Sequence, residues 1–366
     1  MSKDRILIVI PSLTLGGAEK QAFEYAKALK RLGKEPFILG LGRERELKAL
    51  LEKEEIFFGT YSFSDFFNAN KFKQLYFLLR FVFFIRTLKV DKAITFTYWP
   101  NVIFKLIHKF CGIKKMYWNQ RSVDDTISPV FWERLGNKFK VDYLANSKAS
   151  AVSILKRHQL KEGDINIIYN VMDMSEKVTF DKNENEIHLV MVANFFQEKD
   201  HFTVLKAFNQ LSNIELKKEI YLHFVGAAPG GSKRLLEVKA MAFDLGLCNQ
   251  VIFHGVVNDT KQFLKKMDIG ILSTFSEGFS NAIMEYMDAG LPVVASAIGP
   301  NLEALTDLNK AFLFEVEHVD VLANKLEQFI LDENLRRDIG MKNREIAQNS
   351  FHVRNLDLAL KQLLIG

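Results

Sequence analysis

Apolar residues in this chain fall into short continuous runs, separated by longer stretches in which they recur every three or four positions. Short runs bounded by turn residues read as strands buried on both faces, and the longer stretches read as amphipathic helices. The pattern predicts strands over 5–11, 36–42, Lys92–Phe96 and 115–118, then over 187–193, 221–226, Val251–Gly255, Ile269–Leu272 and 291–295. It predicts helices over 18–32, 71–88 and 281–289, and a helical tail from Val319 to Gly366. Strands that alternate with helices imply α/β architecture with parallel sheets. At 366 residues the chain exceeds one ordinary domain, so two are expected. The charged run FDKNENE, 180–186, reads as the linker between them.

The densest information lies in 268–300, DIGILSTFSEGFSNAIMEYMDAGLPVVASAIGP. Ser280 suits a helix N-cap, Gly290 suits the C′ position, and Pro292 stops the helix from continuing. The stretch therefore reads as strand, polar loop, short helix, strand. In parallel sheets, ligands collect at the carboxyl ends of strands, and a helix N-terminus offers free N–H groups to phosphate. Glu277 lies in the loop and Glu285 in the helix, where a side chain leaning toward the N-terminus can face the loop. A carboxylate can accept hydrogen bonds from two neighbouring hydroxyls, as on a ribose. Taken alone, two glutamates eight positions apart favour the reading of an ordinary helix with a solvated glutamate.

Composition narrows the classes. Cys111 and Cys248 are too few and too separated for a disulfide framework or a zinc site, which fits a reducing compartment. A strand predicted within a few residues of Met1 leaves no room for a signal peptide, and the greasy region 75–85 is too short to span a bilayer. Charge is uneven. Residues 1–170 hold 29 Lys+Arg and 17 Asp+Glu, a net of +12; the rest holds 20 and 27, a net of −7. A basic half suggests an anionic partner. No nucleic-acid motif is present, so an anionic membrane surface or a phosphate-bearing lipid is the expected partner. In the predicted helix 71–88, Lys73 and Arg80 stand among apolar residues. It reads either as buried on several sides or as resting on lipid, with Phe77, Phe81 or Phe84 adding apolar contact if exposed.

The run S-E-G-F-S-N-A-I-M-E-Y-M-D-A-G-L-P-V-V-A-S, with Gly299 soon after, resembles the nucleotide-sugar site of glycosyltransferase family 4. The sequence G-G-A-E after the first predicted strand, N-Q-R-S at 119–122 and Lys199 after the strand 187–193 add to the resemblance. It implies the GT-B fold: two Rossmann-like domains facing each other across a cleft, with the C-terminal helix crossing back to the first. The corresponding boundaries are an acceptor-binding domain over 1–179 with helix 351–366, and a nucleotide-sugar domain over 180–350. The stripe Leu356, Leu360, Leu363 and Leu364 would pack the last helix onto the first domain.

The resemblance also implies retaining transfer of a sugar from a nucleoside diphosphate sugar to a glycan or lipid-linked acceptor. The setting would be capsule, lipopolysaccharide or other surface polysaccharide synthesis, on the inner face of the cytoplasmic membrane. Glu277 would sit beside the donor sugar, Glu285 would hold the ribose, and Lys199 would meet the diphosphate. Gly16, Gly17, Gly278, Phe279, Ser280 and Asn281 would complete the donor site, and Asn119 and Arg121 would meet an acceptor or a phosphate. Arg121 is equally read as a surface salt-bridge residue. No cofactor is implied, and with no D-x-D motif the cations of the protein would replace a metal ion.

The chain departs from the pattern in two places. No histidine follows Phe96, and Asn194 stands where relatives often carry an arginine. A sugar-nucleotide epimerase and an inactive sugar-nucleotide-binding subunit are therefore alternatives. A nicotinamide-dependent dehydrogenase is disfavoured, because no G-x-G-x-x-G follows the first strand.

Overall fold

A computed structural model of the chain describes residues 4–42, 46–123, 130–174, 185–212, 218–228, 230–231, 233–305 and 307–365. The chain divides into two compact units, one of Met1–Met172 with Val353–Gly366 and one of Asp173–His352. Most of the expected linker at 180–186 lies outside the described residues, and Glu186 already begins a strand.

The first unit holds a parallel sheet of β1 (Arg5–Ile10), β2 (Glu35–Gly40), β3 (Phe57–Thr60), β4 (Lys92–Phe96), β5 (Lys115–Gln120), β6 (Asp142–Ala145) and β7 (Ile165–Ile167). Their order is β3-β2-β1-β4-β5-β6-β7. The second holds β8 (Glu186–Val192), β9 (Glu219–Val225), β10 (Val251–Gly255), β11 (Ile269–Leu272), β12 (Val293–Ser296) and β13 (Leu313–Phe314), in the order β10-β9-β8-β11-β12-β13. Both sheets run outward from their first strand and then restart on its other side. The restart leaves a topological switch point between β1 and β4 in one unit and between β8 and β11 in the other, where ligands bind in such sheets. Strands β3 and β13 escape the apolar pattern because they are short edge strands; Phe57 and Ile167 at the first sheet's edges stay exposed.

Helix Val353–Ile365 belongs to the first unit, with Leu356 and Leu360 fully buried beside Ile6, Tyr25 and Leu29. Leu363 and Leu364 pack partly buried against the same cluster. Gly290 adopts a φ of +72° at the end of helix Asn281–Asp288, as its C′ position requires.

Helix Lys71–Thr87 is buried along one side and exposed along the other. Phe81 is buried, and Phe77 and Phe84 pack partly buried against the core rather than facing outward. Tyr61, Phe63, Phe66 and Phe104 form the aromatic bed around them. The exposed face is the opposite one, with Phe72, Leu75, Tyr76, Leu79 and Phe83. Among the described residues no helix is long and apolar enough to cross a membrane.

Candidate active site

The site is assembled at the switch point of the second sheet. Because β8 and β11 are neighbours, the loops leaving their carboxyl ends run side by side although they are far apart in sequence. Backbone hydrogen bonds stitch them together: Phe275 N–H donates to the Glu198 carbonyl (2.9 Å), and Asp200 N–H to the Ser273 carbonyl (3.0 Å). Lys199 and Thr274 form an isolated antiparallel bridge. Ser273 Oγ donates to Asp200 Oδ2 (3.1 Å), and Thr274 Oγ1 to the Glu198 carbonyl (2.9 Å).

This stitching brings two of the expected residues together. Lys199 Nζ forms an ion pair with Glu277 Oε1, and Thr274 Oγ1 lies 3.5 Å away. Both side chains are mostly buried, with 17% and 19% exposed, so water screens the pair weakly. Removing one partner would leave an uncompensated charge in the loop junction.

Gly278 and Phe279 follow, both buried, and the Phe279 ring meets the edge of Phe351 at 5.4 Å between centroids. Ser280 caps the next helix, its Oγ accepting from Ile283 N–H at 3.4 Å. No acidic side chain stands in the first turn of that helix, which leaves its positive end for an anionic ligand. Asn281 opens the helix and Glu285 lies on its second turn, both half-buried.

Three residues packed around these loops were not legible in the motif. Tyr286 is fully buried; its hydroxyl accepts from Val192 N–H (2.6 Å) and donates to the Ile271 carbonyl (3.1 Å). It ties the helix of Glu285 to the ends of both central strands. Gly270 was the available signal, since a Cβ there would come within 2.5 Å of the Tyr286 ring.

Arg234, on helix Lys233–Asp244, donates from Nη2 to the Gln197 carbonyl at 3.1 Å and lies over the Phe202 ring at 4.5 Å. It brings a second cation against the Lys199 loop. Asn194 is committed elsewhere, its Oδ1 accepting from Ala227 N–H at 2.8 Å. Nothing in sequence spacing links Arg234 to Lys199; the neighbouring positions of β8 and β9 do. His201 is buried against Phe195, and burial holds its imidazole down to about 4, so it is neutral at neutral pH.

The remaining expected residues lie in the first unit. Gly16 is the N-cap residue of helix Gly17–Arg31, after β1. Asn119 lies in β5 and Arg121 directly after it. Arg121 is buried rather than a surface salt-bridge residue, and Nη2 donates to Asn170 Oδ1. No group of three or more His, Cys, Asp or Glu side chains able to hold a metal ion occurs among the described residues.

Comparison with known proteins shows what the chain is similar to. Residues 174–346 match the model described as glycosyl transferases group 1. The chain is 28% identical over 194 residues to protein CapJ of Staphylococcus aureus, covering 51% of this chain and 47% of that protein. It is 27% identical over 199 residues to the N-acetyl-alpha-D-glucosaminyl L-malate synthase of Bacillus anthracis, covering 51% and 50%. The match thus spans about half the length of these curated relatives. A longer match, 23% identical over 80% of this chain and 82% of the relative, is to an N-acetylgalactosaminyltransferase of Campylobacter jejuni whose name gives a diphospho-undecaprenol-linked substrate. Among solved structures, Anabaena Alr3699/HepE in complex with UDP and glucose superposes with a TM-score of 0.82 at 21% identity, covering 98% of this chain and 99% of that one. A glycosyltransferase from Rickettsia africae superposes equally well at 23% identity, covering 99% and 98%. These likenesses carry the fold expected from the sequence, two parallel-sheet α/β units. Over residues 174–346 the chain is thus similar to the group 1 glycosyl transferases.

Proposed function

We propose that this protein transfers a sugar from a nucleoside diphosphate sugar to a glycan or lipid-linked acceptor in surface-polysaccharide synthesis, with retention at the anomeric carbon. The observation that carries the reading is the Lys199–Glu277 pair at the β8/β11 switch point, continuous with the Ser280-capped helix that bears Glu285. Glu285 takes the ribose hydroxyls. Lys199 and the N-terminus of helix Asn281–Asp288 hold the diphosphate, and Glu277 lies beside the donor sugar. As the bond from the anomeric carbon to the diphosphate oxygen breaks, negative charge grows on the leaving group. Lys199 then turns from Glu277 to that charge, a preorganised electrostatic stabilisation in a poorly screened loop junction. The acceptor oxygen bonds the same face of the sugar and its proton leaves with the nucleoside diphosphate.

The test is donor turnover across UDP- and GDP-sugars, with and without a polyprenyl-diphosphate-linked glycan. Turnover only with acceptor supports transfer. Free sugar product without acceptor indicates the epimerase alternative, and binding without turnover the inactive subunit. Mass spectrometry of the glycolipids lost in a deletion strain identifies the acceptor.

The reading extends to an anionic membrane surface on the cytoplasmic side. Helix Lys71–Thr87 supports it: Phe72, Tyr76, Leu79 and Phe83 follow one another at spacings of four, three and four, which sets them on one face. Phe72 is 86% exposed and Phe83 67%. The exposed side chains Lys71, Lys73, Arg80 and Arg86 lie along the same helix, which has no acidic residue. An apolar stripe with basic flanks suits an interface of anionic lipid, each basic residue adding roughly 1 kcal/mol. Co-sedimentation with phosphatidylglycerol vesicles should rise with anionic lipid and fall with salt. Sedimentation unchanged by Lys73→Glu with Arg80→Glu, and by Phe72→Ser with Phe83→Ser, would reject the extension.

A further inference from the structure

Thr97, directly after β4, holds a backbone conformation that disfavours threonine. Its φ is +69° and its ψ 172°, a region occupied almost solely by glycine. A β-branched side chain strains the chain there, and such strain persists only where surrounding contacts enforce it. Those contacts come from behind. Helix Tyr98–Ile107 starts at the next residue, and the Tyr98 hydroxyl donates to Glu133 Oε2 at 2.7 Å. Glu133 is 1% exposed and also accepts from Arg157, at 2.6 Å from Nε and 2.7 Å from Nη2. Burial, and then the bond to Glu133, push the Tyr98 hydroxyl up to about 12, so it remains a donor at neutral pH. Helices Phe131–Gly136 and Lys148–His158, which carry Glu133 and Arg157, thereby clamp the start of helix Tyr98–Ile107.

The strained side chain does nothing for the fold. Thr97 does not cap the helix it precedes, and its hydroxyl has no hydrogen-bond partner among the described residues. Glycine would hold this backbone more easily, so what threonine adds is a free hydroxyl at the carboxyl end of β4. That end borders the β1/β4 switch point, the place where ligands bind in such sheets.

Two residues further along stands an aromatic platform. Trp99 is 36% exposed, and Phe67, at the end of helix Ser64–Phe67, is 43% exposed. Their rings meet edge to face at 4.6 Å between centroids, and Tyr98 meets Trp99 in the same way at 5.3 Å. These contacts hold the indole, whose N–H also has no partner among the described residues. An exposed aromatic face is electron-rich and attracts the slightly positive C–H groups of a sugar ring. A hydroxyl and an indole N–H bind the sugar's own hydroxyls. A lipid tail would cover the rings and leave that hydroxyl and N–H unsatisfied. The combination therefore fits a pyranose better than a lipid tail.

We propose that Thr97, Trp99 and Phe67 form a subsite for one pyranose ring of a glycan acceptor, with the apolar face of the sugar on the two rings and a sugar hydroxyl on Thr97 Oγ1. That the sugar belongs to an acceptor rests on the transferase reading; the sugar subsite itself does not. The experiment is saturation-transfer NMR and calorimetry on the full chain, with UDP or GDP at saturation. The probes are the methyl glycosides of glucose, galactose, N-acetylglucosamine and N-acetylgalactosamine. Wild type should bind at least one of them, with the strongest transfer to ring C–H protons. Trp99→Ala should weaken that probe at least tenfold and Trp99→Phe much less. Thr97→Gly should weaken it several-fold while the melting temperature holds or rises, an opposition that a merely structural role would not give. UDP and GDP affinities, titrated separately, should stay the same in all three variants, and they report whether the donor reading holds. Absence of glycoside binding by wild type, or binding indifferent to Trp99→Ala and Thr97→Gly, would overturn the inference. So would a protein that binds no glycoside but whose tryptophan fluorescence shifts to the blue on phosphatidylglycerol vesicles only when Trp99 is present, which assigns the platform to lipid.

Discussion

Gly270 and Tyr286 provide a quantitative test of how helix Asn281–Asp288 is held. A methyl group at position 270 would lie 2.5 Å from Tyr286 Cγ and Cδ2 and 3.0 Å from its Cβ. These atoms cannot swing aside, because the ring is fully buried and its hydroxyl is fixed to Val192 N–H and the Ile271 carbonyl. Gly270→Ala must therefore move the strand, the helix or both. Overpacking of this kind costs about 1–3 kcal/mol. For a unit of this size that corresponds to a fall in melting temperature of roughly 2–12 °C. Tyr286→Ala removes the ring and should cost about 3–5 kcal/mol.

The double variant decides the matter. The new methyl group enters the space vacated by the ring, so the two losses should fall short of adding by at least 1 kcal/mol, a coupling typical of residues in contact. The assay is thermal and urea unfolding of all four proteins, following the transition of the second unit, alongside nucleoside diphosphate affinity. The reasoning is refuted if Gly270→Ala unfolds like wild type, or if the two losses simply add.

Other outcomes follow from the same structure. Glu285→Gln should weaken nucleoside diphosphate binding by about 1–3 kcal/mol through loss of a charged acceptor, and unchanged affinity in calorimetry would remove its ribose role. Lys199→Ala should lower kcat more than donor affinity, because it meets charge that grows in the transition state, and a change confined to KM would contradict that; activity should persist in EDTA. Burial holds His158 and His223 down to about 3 and His201 to about 4, from an ordinary 6.5. Between those values and 6.5 the unfolded chain binds more protons than the folded one, so stability should rise with pH across that window and be lost on acidification. Urea midpoints that do not change between pH 7 and pH 5 would contradict this sign.

The sequence by itself carried much of this. Runs buried on both faces of a parallel sheet stay apolar throughout, so β1, β4, β8 and β11 were legible as strands within a residue or two. The Ser280 cap and the Gly290 C′ position are local backbone requirements, written in one or two residues each. Tertiary structure decided what depends on neighbours in space. Lys199 and Glu277 meet because β8 and β11 are adjacent in the sheet, an order no local pattern encodes. Arg234 replaces nothing at its own position and reaches the site only through the order of β8 and β9. Helix Lys71–Thr87 is apolar around most of its circumference, so periodicity could not tell the buried Phe81 from the exposed Phe83. Arg121 reads as a surface cation from its type alone. It is buried because β5 delivers it beside Tyr25 and Glu19 of helix Gly17–Arg31, where desolvation lowers its guanidinium to about 10.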